Sequence, residues 1–106
     1  MPNASLADLR ESVAALLLLC DGTLKGENST LLFKALAPEN SPLKYPAGLG
    51  YQIDRLVELA ASHADDLRLG VMKPRVRPPF EASLTNLRNA LAILFAELAL
   101  RSGYDE

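Results

Sequence analysis

The sequence predicts an all-α fold, a small bundle of three long helices and one short helix joined by Pro-rich connectors. Three observations predict it. Apolar residues recur at spacings of three and four along three long stretches. The apolar fraction of 49% is carried mainly by Leu and Ala, with aromatic residues at only 6%, a mixture that favours helix over strand. The internal prolines fall between those stretches, where a missing amide proton and a fixed φ do no harm to a helix.

A length of 106 residues allows one domain, 1–106, with one core. The charged fraction of 23% and a mean hydropathy of +0.09 describe a globular chain rather than a disordered one. The formal net charge is -2 and the pI about 5.4, so the chain lacks the positive field by which a nucleic-acid binder is drawn to phosphate. One cysteine, Cys20, can neither close an internal disulfide nor share a structural metal with a second thiol. That usage suits a reducing compartment, and a cytoplasmic protein is expected.

The first helix is expected from Ser5, which with Asp8 resembles a capping box, to a stop at Gly22. Leu6, Leu9, Val13, Leu16, Leu17 and Cys20 share one face, while Ala14, Ala15, Leu18 and Leu19 make the second half apolar all round. The run Val13 to Cys20 is shorter than the roughly 20 apolar residues that a membrane span needs. Asp8 and Glu11 precede it, where an export signal carries a positive leader. A buried helix is therefore expected, and no membrane association.

A polar loop leads to a cap at Asn28 or Ser29 and to a short helix whose apolar side is Leu31, Leu32, Phe33 and Leu36. Pro38 ends it. Prolines 38, 42 and 46 keep Ala37 to Gly48 extended, with Leu43 and Tyr45 as its anchors. The next helix is expected over Leu49 to Leu69, with Gly70 as its stop. Ile53, Leu56, Val57, Ala60, Ala64 and Leu67 form its single stripe, opposite a charged face. A basic connector then carries Lys73, Arg75 and Arg77 between prolines. The final helix begins near Pro79 and Phe80 and ends at Ser102 and Gly103, with a seam of Leu84, Leu87, Leu91, Leu94, Phe95 and Leu98 widened by Ala90, Ile93, Ala96 and Leu100.

The first and last helices thus hold more apolar surface than one neighbouring stripe can cover. At about 2 kcal/mol for each large aliphatic side chain removed from water, a few such residues rival the stability of a small domain. A homodimer through Leu16, Leu18, Leu19, Ile93 and Leu100 is expected, since the commonest oligomer is a twofold dimer. Partner contacts are expected at Lys73, Arg75, Arg77 and Phe80, where cations could dock on an acidic patch or neutralise Asp65 and Asp66.

Residues suited to chemistry are sparse, and neither an enzyme nor a bound cofactor is expected. His63 is the only histidine, which rules out a second histidine ligand within one chain. In the setting of Asp65 and Asp66 it could accept a phosphoryl group, but the lysine and glycine that follow the histidine of phosphotransfer modules are replaced by Ala64 to Leu67, reading ADDL. Glu58, Asp65 and Asp66 could contribute to a metal site only with more carboxylates from a facing helix. Gly48 and Gly50 form a helix entry, because no strand precedes them. Small helical anti-activators, immunity proteins and secretion chaperones have this general style, and no motif selects among them. The reading is a non-enzymatic regulator or inhibitor acting on a protein partner. Its alternatives are a metal- or phosphate-handling bundle centred on His63 and a DNA-associated regulator using residues 73–77.

Overall fold

The computed structural model describes residues 6–45, 48–72 and 80–102, with side chains described over 6–45, 48–69 and 80–101. These residues form four helices, α1 (Leu6–Leu24), α2 (Thr30–Leu36), α3 (Tyr51–Met72) and α4 (Phe80–Ser102). Among the described residues there is no strand.

Helix boundaries follow local chemistry. α1 passes through Gly22 to Leu24 and is closed by Gly26 rather than Gly22, the φ of +96° at Gly26 being the left-handed conformation that glycine adopts without steric cost. Glu27 N–H donates to the Gly22 carbonyl at 3.0 Å and Gly26 N–H to that of Thr23 at 3.0 Å, the paired bonds that close a helix end. Of the two candidate caps for α2, Asn28 makes the side-chain bond, its Oδ1 accepting from Thr30 N–H at 2.7 Å. α3 starts at Tyr51 rather than Leu49, because Gly48 and Gly50 have φ of +107° and +123°. The Asp54 carboxylate turns back over this entry and accepts from Gly48 N–H at 2.9 Å and Leu49 N–H at 3.2 Å. At its other end α3 continues through Gly70 to Met72.

α4 is the central helix. It packs along both α1 and α3, while α2 bridges those two. Asp21 near the end of α1 pairs with Arg88 near the start of α4 at 2.8 Å, and a methyl at Gly50 would lie 3.5 Å from Arg101 Nη1 at the end of α4. Both neighbours therefore run antiparallel to α4. Arg68 on α3 donates to the Leu36 carbonyl at 2.6 Å, fixing the end of α2, and the chain then crosses back with Leu43 buried at 4% exposure and Tyr45 half-buried.

The core is aliphatic throughout. Leu9, Val13, Leu16 and Cys20 of α1, Ile53, Val57, Ala60, Ala64 and Leu67 of α3, and Leu84, Leu87, Ala90, Leu91, Leu94 and Leu98 of α4 meet in one cluster, closed by Leu32 and Leu36 of α2. Among the described residues, no helix is long and apolar enough to cross a membrane.

Candidate interaction surface

The folded bundle covers much of the apolar surplus that the sequence displays. Leu16 is 2% exposed and belongs to the core. Its expected place in an interface is corrected, because its position between Val13 and Cys20 on the helix turns it toward α4. Leu19, with Leu17, is partly buried against the same cluster. Leu18 points the other way and is 72% exposed. On α4, Ala90 goes into the core, whereas Ile93 at 56% and Leu100 at 55% remain exposed.

Among the exposed positions on α4, Ala82, Thr85, Asn89, Ile93, Ala96 and Leu100 form one row at successive spacings of three and four, with Glu81, Asn86 and Arg101 exposed beside it. No charged residue stands on it. The exposed faces of the flanking helices differ, with Arg55, Glu58, Asp65 and Asp66 on α3 and Asp8 and Glu11 on α1. On one flank of the row, Glu97 accepts from Arg101 Nε at 2.8 Å, so an acid and a base cancel there. On the α1 side, the Asp21–Arg88 pair at 2.8 Å does the same.

Phe80, expected to meet a partner, is half-buried, its ring centroid 6.1 Å from that of Phe33 at a tilt of 44°. This is the edge-tilted packing of two aromatic rings, and it ties the start of α4 to α2. Lys73, Arg75 and Arg77 lie outside the described residues. Of the two acids they were expected to neutralise, Asp65 and Asp66, Asp65 is met by Arg68 one turn away on α3.

The groups considered for chemistry are dispersed. His63 is half-buried on α3, with Asp65 and Asp66 exposed beyond it. Among the described residues, no three His, Cys, Asp or Glu side chains come together as a metal-holding group. Burial pushes the Cys20 thiol up to about 12, with the Asp21 charge adding to the effect and Arg88 opposing it. A thiol so shifted stays protonated, hence unreactive, near neutral pH. A cavity of about 130 Å³ lies between Leu43, Tyr45 and Leu49 on one side and α3 on the other, floored by Val57 and Ala61 and edged by Asp54 and Glu58. The Asp54 carboxylate is already occupied with the amides of the helix entry. Burial, reinforced by Asp8, raises the pKa of Tyr45 on the cavity wall.

Comparison with protein-family models, with curated protein sequences and with solved structures finds no match to the chain. The surface itself is therefore the only guide to what the bundle does. The most distinctive surface feature is the α4 row. Sequence reading singled out Ile93 and Leu100 but missed Ala82, Thr85 and Asn89 as members of the same face, although the signal was present as an uncharged repeat of three and four residues.

Proposed function

We propose that the chain is a non-enzymatic protein-interaction module, a cytoplasmic regulator or inhibitor of the anti-activator type. In this reading it works as a homodimer and binds a protein partner through the apolar surface of its helices. The observation that carries the reading is the uncharged outward face of α4, joined by Leu18 at 72% exposure on α1. Interface cores are depleted of charge relative to the rest of a protein surface, and water stabilises no leucine left in it.

With α4 given to self-association, the large apolar side chains still exposed are Leu18 on α1, Leu31 on α2 and Tyr51, Leu59 and Leu69 on α3; the first two stand on helices that pack on each other, whereas those on α3 stand among charged residues. Inhibition then amounts to covering a partner's own helix-docking surface. The test is an affinity capture with the full chain from native-host extract, run beside Leu18→Glu and a charge control, Ser62→Glu on the polar face of α3. One protein retained in stoichiometric amount by the wild type and by Ser62→Glu, and lost with Leu18→Glu, is the expected result. Equal capture by all three chains, or no stoichiometric protein, removes the reading.

A further inference from the structure

We propose that a second copy of this chain seats on the outward face of α4, the two α4 helices crossing antiparallel about a twofold axis at Ala96. The inference deepens the homodimer part of the function proposed above and rests on it. Two observations choose a second copy as the occupant, and a third sets how strongly it is held.

The first is the pattern of sizes. Ile93, Ala96 and Leu100 are all exposed and read large, small, large at spacings of three and four. Such a row is nearly its own mirror when reversed. A twofold axis through Ala96 sets Ile93 against Leu100 of the second copy and Leu100 against its Ile93, the reciprocal contact that an isologous interface demands. The alanines at the crossing let the two backbones approach to the roughly 8–10 Å of close helix packing.

The second is charge. A face bearing one sign of charge repels its twin. The α4 row carries none from Ala82 to Leu100, and the Glu97–Arg101 pair on its flank is already neutral at 2.8 Å. A different protein guided by charge would find nothing there to recognise, whereas an identical neutral surface finds nothing to oppose it.

The third is extent. From Ala82 to Leu100 the row runs about 27 Å along the helix at about 1.5 Å per residue, but only its C-terminal part is apolar. Thr85 and Asn89 lie away from the crossing, where amide and hydroxyl groups keep their water. Three apolar side chains per copy fall short of the roughly 800 Å² per partner of a standard stable interface. The dimer is therefore reversible and dependent on concentration.

Sedimentation of the full chain from about 1 μM to about 1 mM is the first measurement. The weight-average mass rises with concentration, and Ile93→Glu weakens the association at least about tenfold while circular dichroism shows an unchanged helix content. The geometry is read by disulfide trapping in a Cys20→Ala background. Ala96→Cys on the axis gives a covalent dimer on mild oxidation, and Leu18→Cys on α1 does not. Trapping through Leu18→Cys instead, or a dimer indifferent to Ile93→Glu, overturns the α4 crossing and leaves a homodimer through another face. A mass that stays monomeric throughout overturns both the crossing and the homodimer, and the capture experiment with Leu18→Glu then decides separately whether a different protein is bound.

Discussion

α3 and α4 are helices of similar length, 22 and 23 residues, yet they use their apolar residues differently. α3 lies at one side of the bundle, buries a single stripe from Ile53 to Leu67 and shows water a face on which Tyr51, Leu59 and Leu69 stand among Arg55, Glu58, Asp65 and Asp66. α4 lies in the middle and buries Leu84, Leu87, Ala90, Leu91, Leu94 and Leu98 between two neighbours. The breadth of an apolar face thus measures first how many helices a helix touches within its own chain. Only the part left over, Ile93, Ala96 and Leu100, bears on what lies outside. α1 gives the same lesson from the edge: apolar all round in sequence, it leaves Leu18 as its one large exposed hydrophobic residue.

The sharpest way to break this comparison is to truncate the two faces of α4. Leu94→Ala, at a fully buried core site, is expected to cost about 3 kcal/mol, as large-to-small changes in a packed core do. Ile93→Ala, its neighbour in sequence, is expected to change monomer stability by less than about 0.5 kcal/mol. Urea denaturation at a concentration where the chain is monomeric checks both. Equal losses would mean that the outward face is held within the chain after all.

A smaller effect is expected at the entry to α3. Asp54→Ala leaves the Gly48 and Leu49 amides without their carboxylate and should cost about 1 kcal/mol, the usual value of a lost helix cap, with Asp54→Asn recovering part of it. Smaller again is Arg88→Ala, which removes the tie between α1 and α4. Both partners are about a third exposed, so a loss below about 1 kcal/mol that shrinks as salt is raised is expected in thermal melts. A loss unaffected by salt would show that Arg88 acts through its aliphatic stem instead.

One effect emerges only at high pH. The Cys20 thiol is held protonated by burial in the folded chain, with its pKa raised from 9.0 to about 12, while the unfolded chain ionises near the ordinary value. The stability that this buried neutral thiol contributes is whole below pH 9 and is lost as pH rises between the two values. The stability advantage of the wild type over Cys20→Ala should narrow as pH rises above 9. A constant difference up to pH 11 would mean that the thiol is not shielded from ionisation.

Much of the architecture was legible in the residues. The 3.6-residue period marked every long helix, and the start and end of α4 fell where Phe80 and Ser102 stand. Two boundaries moved for one reason: glycine tolerates a helix interior as well as a helix end. Gly22 and Gly70 lie within α1 and α3, and the helix stop fell to Gly26, where the chain turns left-handed. The candidate surface was only partly legible. Leu18, Ile93 and Leu100, singled out in the sequence, are exposed, but Leu16, equally apolar and grouped with them, lies in the core.

What the sequence by itself determined is the secondary structure and the division of each helix into faces, because periodicity, capping and proline placement act within a few residues of chain. Which apolar face meets which neighbour was decided by the tertiary structure. α4 became central because both antiparallel neighbours pack on it, and centrality covered residues that periodicity alone marks as surplus. A helix carries in its sequence the width of its oily stripe but not the number of partners that share it, since that number depends on contacts between segments far apart along the chain.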